Sequence, residues 1–332
     1  MITGAAQADA AILVVPATRG EFEGGFSEDG QIREHAVLAR SLGVAQLILA
    51  VNKLDTCGWA AERYHEIVRI MVPYLKSVGY KEKDIQPVPV SGLTGENILE
   101  CKEPALKEWY TGPVLLELID RFQLPPRQED RPMRLCVQDV FRTLSLGQAV
   151  AGKVECGTIL PRDRLLLLPL GETLTVRALE SRGEGLNIAR AGDNVELGVR
   201  DFSDPAVLQV GQWLCDPLHP IPMVTHFRAQ IITMNYRVPL LAGSQLTFYT
   251  QACSEPIVLK SLMSIVDKVT GAVVKRNPRV LPRESTAVVE LTARNKICLE
   301  LFKNYRQLGR FSLRRGQDTV AVGVVIKLYR MQ

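Results

Sequence analysis

The tetrapeptide Asn52-Lys53-Leu54-Asp55 combines residue types that can recognise a guanine base. Guanine presents its N1–H and its exocyclic N2 amine as adjacent donors, and one aspartate carboxylate can accept from both. Adenine has no such edge, so we expect Asp55 to select guanine. We expect Asn52 to tie neighbouring loops together and to reach the N7 side of the ring, and the alkyl stem of Lys53 to lie over the base. The alternative is a plain surface turn, since Asn, Lys and Asp all favour loops.

A second motif, Ser91-Gly92-Leu93, follows the next apolar run along the chain. Glycine lets a backbone approach a ligand closely, so amides of this loop can donate to the guanine O6. Alone, this tripeptide is typical of an ordinary turn. Both motifs directly follow short apolar runs, and ligand sites of α/β proteins lie at the carboxyl ends of strands. The predicted guanine-binding residues are Asn52, Lys53, Asp55, Ser91, Gly92 and Leu93.

The elements that must position these residues alternate short apolar runs with amphipathic stretches, which is typical of βα units around a parallel sheet. The predicted strands are residues 11–15, 47–51 and 86–90. The last is predicted as an edge strand because it contains two prolines. The predicted helices are residues 31–42, 59–78 and 114–122. Gly43 and Gly79 are expected to end the first two helices, and Pro73 predicts a kink in the second.

Residues 124–134 are rich in proline and charge and predict a linker. Beyond them, short β-rich segments recur between clusters of Gly, Pro, Asn and Asp. A second proline-rich joint at residues 215–222 divides this region, which favours two all-β barrels over one. The predicted domains are therefore residues 1–127, which form an α/β unit, and residues 128–219 and 220–332, which form the two barrels.

With the two loop motifs in place, the sequence resembles the translational GTPases of the elongation factor Tu and elongation factor 1-alpha superfamily. The family patterns ILVV, REH and NKxD stand here at residues 12–15, 33–35 and 52–55. Residues 1–9 resemble the helix that follows the family's DxPGH switch. The insertion at residues 20–26, followed by Gly30-Gln31, is similar to the eukaryotic and archaeal branch. In the last third, residues 254–256, 268–271 and 308–314 most resemble the ribosome-rescue branch of the family.

This resemblance implies a partial P-loop GTPase domain followed by two all-β barrels. It implies GTP or GDP as ligand, Mg²⁺ in the intact family, and GTP hydrolysis during rescue of stalled ribosomes and mRNA surveillance (no-go and non-stop decay). The implied partners are a Pelota-type release-factor-like protein and the ribosome with its A-site RNA, in the cytoplasm. The alternative hypotheses are a non-catalytic protein that binds Pelota or the ribosome, and an elongation or termination factor GTPase.

The family's phosphate loop GxxxxGK[ST], switch I threonine and DxPGH do not occur in these 332 residues. We therefore expect an amino-terminally truncated family member that binds GTP poorly and is catalytically deficient, with no catalytic or metal residue of its own. The glycine-rich residues 24–30 do not replace the phosphate loop, because no lysine follows and Glu28 and Asp29 would repel phosphate. His35 and His65 are expected to have surface or packing roles. The strand at residues 11–15 is expected to leave an apolar edge exposed, so that the chain aggregates or needs a partner.

A basic stretch in the last barrel is the other candidate surface. Its predicted partner or ribosome contacts are Lys275, Arg276, Arg279, Arg283, Arg310 and Arg314. Aromatic residues at 302, 305 and 311 are interleaved with the later cations, and such mixtures contact RNA or an acidic protein face. The alternative is a solvated hairpin surface with the aromatic rings packed inward.

Composition excludes several function classes. The chain is 46% hydrophobic and 23% charged, unlike a disordered chain. Its net charge of +4 is compatible with an RNA-facing surface but far from that of a basic nucleic-acid-binding tail. Seven cysteines without a CxxC pair and four isolated histidines do not indicate a zinc site, so the cysteines are expected to be reduced thiols. No apolar run reaches the roughly 18 residues that a membrane span needs. We therefore expect neither a DNA nor a membrane partner.

Overall fold

The computed structural model describes residues 8–27, 30–123, 126–234, 236, 238–267, 270–316 and 318–329. The chain divides into two compact units, Met1–Pro125 and Pro126–Gln332. Most of the segment predicted to resemble the helix after the switch, residues 1–7, lies outside the described residues, as do positions 28, 29, 268 and 269 of the segments discussed above.

The first unit contains a parallel sheet in which β2 is the central strand. Its strands are β1 (Ala10–Pro16), β2 (Gln46–Asn52) and β3 (Ile85–Pro89). All three predicted strands are confirmed to within one residue, and β3 lies at an edge of the described sheet as its prolines indicate. The five inner residues of β2 are buried, as expected of a strand covered on both faces.

Helices cover the sheet on both sides. They are α1 (Glu21–Phe26), α2 (Gln31–Leu42), α3 (Ala61–Val78), α4 (Pro104–Lys107) and α5 (Leu115–Asp120). Gly43 and Gly79 follow α2 and α3 with φ values of 121° and 109°, which glycine adopts without strain. Ile70 has the helical spacing of buried Ile67 and Met71, but its side chain is 39% exposed. Among the described residues no helix is long and apolar enough to cross a membrane.

The two faces of β2 pack against different helices. Leu49 on one face joins the core that contains Met71 of α3, whereas Ile48 on the other joins a smaller cluster with Leu118 of α5. Ile12 and Val14 of β1 lie beside Ile48 and Ala50 in the sheet, yet they are 39% and 54% exposed. Since β1 is an edge of the described sheet, the predicted exposed apolar edge is present.

The second unit contains two closed antiparallel barrels. The strands of the first are β4 (Arg134–Thr143), β5 (Gly147–Cys156), β6 (Thr158–Ile159), β7 (Arg164–Leu168), β8 (Glu172–Ser181), β9 (Glu184–Leu186), β10 (Ala189–Arg190), β11 (Asn194–Arg200) and β12 (Trp213–Cys215). The strand order β11-β5-β4-β12-β7-β8 closes through pairing of β11 with β8. Closure of six strands leaves this barrel without a free edge.

The second barrel is also closed by hydrogen bonding between its first and last strands in the ring. Its strands are β13 (Met223–Thr233), β14 (Gln245–Thr250), β15 (Cys253–Val266), β16 (Val273–Arg276), β17 (Thr286–Cys298), β18 (Arg310–Arg315) and β19 (Asp318–Tyr329). The order β14-β18-β19-β13-β17-β15 closes through pairing of β14 with β15, and β16 pairs with β15 outside the ring. The α/β unit followed by two β-barrels confirms the predicted fold class.

A buried junction joins the two barrels. Arg134 of the first barrel lies 3.3 Å from Glu300 of the second, and both side chains are almost fully buried. Trp213 and Cys136 of the first barrel and Cys298 of the second belong to one apolar cluster. Removing one partner would leave an uncompensated buried charge, so substitution of either residue alone is expected to destabilise the junction.

Candidate functional site

Asn52 joins the two predicted guanine-binding loops. It is the last residue of β2, and its Oδ1 accepts hydrogen bonds from the backbone amides of Lys53 and Gly92, each at 2.8 Å. The carboxyl ends of two neighbouring parallel strands are thereby fixed to each other. The structure thus brings together the two motifs that are 40 residues apart in the sequence.

Lys53 connects the first loop to the inserted helix. Its backbone has φ 62°, and a short 3-10 turn over Leu54–Cys57 follows. The Nζ atom lies 2.7 Å from Oε2 of Glu21, the first residue of α1, with both side chains about half exposed. The ammonium end of Lys53 is therefore anchored at α1.

Asp55 carries a buried polar atom without a hydrogen-bond partner. Its Oδ1 is buried, and none of the described residues donates a hydrogen bond to it. The turn that carries it is held by buried Leu54, whose carbonyl accepts from the Trp59 amide at 3.1 Å. A buried carboxylate oxygen without a donor costs free energy, which a ligand with a donor edge would recover.

The second loop is rigid at its base and exposed at its tip. Ser91 is fully buried, its amide donates to Glu96, and its Oγ accepts from Thr94 at 3.3 Å. Leu93 is 89% exposed, and its amide has no acceptor among the described residues. Because the Gly92 amide is engaged by Asn52, Leu93 is the loop residue whose amide is free to donate.

Two residues that support these loops were not singled out from the sequence. Asn97 is fully buried and donates from Nδ2 to the Pro89 carbonyl at 2.7 Å, which holds the end of β3 against the second loop. Arg63 of α3 is 5% exposed and donates from Nε to the Ala17 carbonyl at 2.7 Å. In the sequence, Arg63 lies four residues before Ile67, so helical spacing places both residues on the buried face of α3.

A cleft of about 380 Å³ lies in the first unit, lined by Thr18, Arg19, Thr56, Cys57, Ala60 and Arg63. Thr18 and Thr56 share a hydroxyl hydrogen bond of 3.3 Å across it. None of the six predicted guanine-binding residues lines this cleft. Over the described ranges, no group of three His, Cys, Asp or Glu side chains is arranged to hold a metal ion.

The predicted basic contacts fall into two groups. Lys275 and Arg276 on β16 are exposed, and so are Arg279 and Arg283 after it. Arg310 and Arg314 on β18 are partly buried. The guanidinium of Arg310 lies 5.2 Å from the centre of the Phe302 ring, and that of Arg314 lies 5.7 Å from the centre of the Tyr249 ring. The four exposed cations are thus more accessible than the two on β18.

Two family models match the chain. The elongation factor Tu GTP binding domain matches residues 1–126, and the GTP-eEF1A C-terminal domain-like model matches residues 226–326. Protein HBS1 of Drosophila melanogaster is 43% identical over 329 residues, which is 99% of this chain. Elongation factor 1-alpha of Hypocrea jecorina is 37% identical over 336 residues, 98% of this chain and 73% of that protein. The chain spans 49% of the length of the Drosophila protein.

Solved structures agree with these matches. Sup35 complexed with GMPPNP is 34% identical, with a TM-score of 0.58, and the match covers 98% of this chain and 80% of that one. The apo form of translation elongation factor SelB from Methanococcus maripaludis has a TM-score of 0.71. SelB is 17% identical and matches 99% of this chain and 67% of its own, so it shows the fold alone.

Proposed function

Because the chain belongs to the elongation factor Tu and elongation factor 1-alpha family of translational GTPases, we propose that it is a ribosome-rescue factor of the HBS1 type. The observation that carries this choice is the 43% identity to HBS1 over 99% of the chain, against 37% to an elongation factor 1-alpha over a similar span. The proposed setting is the A site of a stalled ribosome in the cytoplasm, in mRNA surveillance with a Pelota-type partner. The proposed domains are residues 1–127, 128–219 and 220–332.

The proposed ligand is a guanine nucleotide, read at its base by the two loops. Asp55 accepts from the N1–H and N2 amine of guanine, which supplies the donor that its buried Oδ1 lacks. The Leu93 amide donates to O6. The alkyl stem of Lys53 covers the ring while Glu21 holds its ammonium group. Adenine offers no donor pair to Asp55, and a site built to hydrogen-bond its ligand rejects an analogue that leaves its buried groups unpaired.

The residues present fit the base and do not fit Mg²⁺. Neither a phosphate-loop lysine nor a cluster of carboxylates suited to the ion occurs in the described parts of the chain. A phosphate loop supplies about four charge-assisted hydrogen bonds at roughly 1.5 to 3 kcal/mol each. Without them, affinity for GTP falls by about four decades or more. We therefore propose that these 332 residues by themselves bind GTP weakly and do not hydrolyse it.

A second candidate function is favoured by the exposed cations on and after β16. A non-catalytic protein that binds Pelota or the ribosome needs an accessible surface and no nucleotide chemistry, and Lys275, Arg276, Arg279 and Arg283 provide such a surface. An elongation factor that delivers aminoacyl-tRNA is the third candidate. The three differ in what they bind, so binding measurements separate them.

The deciding experiment captures the full chain on beads and offers it purified Pelota-type protein or aminoacyl-tRNA, with GDP or without nucleotide. We expect capture of the Pelota-type protein, and weaker capture by the charge-reversed variant R279E/R283E. A matched control is K81E/K83E, which changes the charge equally on exposed lysines of the first unit. Selective capture of aminoacyl-tRNA would instead identify an elongation factor, and capture unaffected by R279E/R283E would remove these arginines from the interface.

A further inference from the structure

The side chain of Lys53 is fixed at both ends, although about half of it is exposed. Its backbone is left-handed, with φ 62°, which is unfavourable for a lysine without local support. That support comes from two neighbours, since its amide donates to Oδ1 of Asn52 at 2.8 Å and its carbonyl accepts from the Thr56 hydroxyl at 2.7 Å. The far end, Nζ, lies 2.7 Å from Oε2 of Glu21. The loop therefore sets the direction of the stem, and Glu21 sets the position of the charge.

Glu21 is itself held in place by the residues on both sides. Phe22, the next residue of α1, is 2% exposed and packs in the core of the first unit. Glu23 accepts a hydrogen bond from the Gly20 amide and lies 2.9 Å from the buried Arg63. Since Glu21 stands between these contacts, its backbone has little freedom, and its carboxylate is presented beside the first loop.

Asp55 offers the Lys53 ammonium a second carboxylate. The two residues are two positions apart at one short turn, and the flexible four-carbon stem of a lysine can bridge such a separation. Oδ1 of Asp55 is buried and has no donor among the residues that the structure describes, so an ammonium group placed there would satisfy it. Arg63, the next cation along the chain, is already hydrogen-bonded to one carbonyl and two carboxylates. Lys53 is thus the cation that could occupy Asp55 in place of a ligand.

We propose that Glu21 is a positioning residue for base recognition, which keeps the Lys53 ammonium away from Asp55. This role rests on the proposed guanine site and adds to it a competition between two carboxylates for one cation. While Glu21 holds the ammonium, the stem of Lys53 can cover the base, and Asp55 stays open to the donor edge of guanine. When Glu21 is made neutral, the ammonium turns to Asp55 and must be displaced before guanine binds. Affinity for guanine then falls, although no residue that contacts the base has changed.

The size of the effect is limited by the strength of an exposed ion pair. Lys53 and Glu21 are each about half exposed, and pairs of this kind shift an equilibrium by up to roughly fivefold. E21Q is therefore expected to weaken guanosine binding about threefold to fivefold. Salt screens exposed pairs, so the difference between E21Q and wild type should shrink as the ionic strength rises.

Guanosine binding to the full chain, followed by ligand-observed NMR, tests this role in wild type, E21Q, K53M and E21Q/K53M. Guanosine has no phosphate that would attract the released ammonium. Methionine keeps most of the lysine stem and removes its charge. The double variant is expected to bind as K53M does and more tightly than E21Q, because no ammonium then competes for Asp55. If Glu21 acted only on the fold, the double variant would be as weak as E21Q or weaker, and the proposed role would be wrong.

Three further outcomes would also overturn it. They are equal binding by E21Q and wild type, loss of binding in K53M, which would make the ammonium itself a ligand contact, and equal weakening by E108Q. E108Q is the matched control because it removes the same charge from an exposed glutamate of the first unit. Circular dichroism melting shows whether each variant is folded, and E21A, with a good helix former, replaces E21Q if that variant is not.

D55N separates this role from the guanine site on which it rests. If D55N binds guanosine as well as wild type does, the site is wrong and the role of Glu21 is wrong with it. If D55N weakens binding while E21Q does not, the guanine site stands and only the role of Glu21 is overturned. Weaker binding by both variants, with recovery in E21Q/K53M alone, is the expected result.

Discussion

The guanidinium Nη2 of Arg63 lies 2.9 Å from Oε1 of Glu23, which ties α3 to the inserted helix α1. The same guanidinium donates to the Ala17 carbonyl at the end of β1 and lies 5.7 Å from the centre of the Phe22 ring. Glu23 in turn accepts from the Gly20 amide at 2.6 Å, at the start of α1. One buried arginine therefore fixes the segment whose first helical residue, Glu21, anchors Lys53.

Replacing Arg63 by Met should destabilise the first unit by about 2 to 3 kcal/mol. The variant leaves the Ala17 carbonyl with only the weak Cys57 thiol donor and leaves Glu23 without its counterion, while the methionine retains most of the packing. The measurement is urea unfolding of the chain followed by tryptophan fluorescence. Arg69 is exposed on the same helix, so R69M serves as the control and is expected to change stability by less than about 0.5 kcal/mol. Equal stability of R63M and R69M would show that the network contributes nothing.

Asp55→Asn should weaken GDP binding by roughly tenfold to a hundredfold, because a charge-assisted hydrogen bond contributes about 1.5 to 3 kcal/mol. Ligand-observed NMR titration with GDP suits the weak affinity expected here. D120N, a change at an exposed aspartate of α5, is the matched control. ADP binding should stay at its low level in all three proteins. A chain that binds ADP as well as GDP would contradict the proposed base recognition.

The free energy of unfolding should depend on pH through Glu290. The folded pKa is about 2 against an ordinary value of 4.5, chiefly because Arg228 donates a hydrogen bond to the carboxylate at 2.9 Å, so the ionised form is favoured in the folded chain. This contribution, about 3 kcal/mol, is fully present above pH 4.5 and is lost as pH falls towards 2. Urea unfolding of wild type and E290Q at neutral and acidic pH should show a stability gap that narrows on acidification. A stability difference between wild type and E290Q that does not change with pH would show that groups other than Glu290 cause the pH dependence.

Self-association should depend on the exposed apolar edge of β1. An unpaired strand edge with exposed Ile12 and Val14 is a template for pairing with another chain. Val14→Lys should shift the chain towards monomer in sedimentation-velocity experiments, because a charge on an edge strand opposes pairing. L144K, at a fully exposed hairpin position of the first barrel, is the control for added charge. Wild-type chain that is already monodisperse and unfolds cooperatively would argue against this edge as a source of association.

Much of the first unit could be predicted from sequence because its signals are local. Apolar runs bounded by Asn52 and Ser91 set the strand ends, and Gly43 and Gly79 set the helix ends. The helix 59–78 begins two residues later than predicted, at Ala61. Ile70 has the same helical spacing as the buried residues of α3, yet its side chain is exposed. Periodicity predicts the direction in which a side chain points, but not whether another element packs against it.

The residues that support the candidate site could not be predicted from local sequence signals. Arg63 contacts Ala17 and Glu23, which lie 46 and 40 residues away, and a charged residue in a helix ordinarily indicates an exposed position. Asn97 supports its loop by a hydrogen bond to the Pro89 backbone carbonyl. Since every residue type has such a carbonyl, the sequence does not reveal this contact. The role of Glu290 depends on pairing between strands distant in sequence, which sets the row that it shares with Arg228.

The buried ion pair between Arg134 and Glu300 also has a mechanical consequence. Because one compact unit contains both barrels, we expect a displacement imposed on either to be shared by the other. A partner bound at the cations on and after β16, as proposed above, would therefore also orient the first barrel. A force applied to one barrel would then be transmitted to the other through their buried junction.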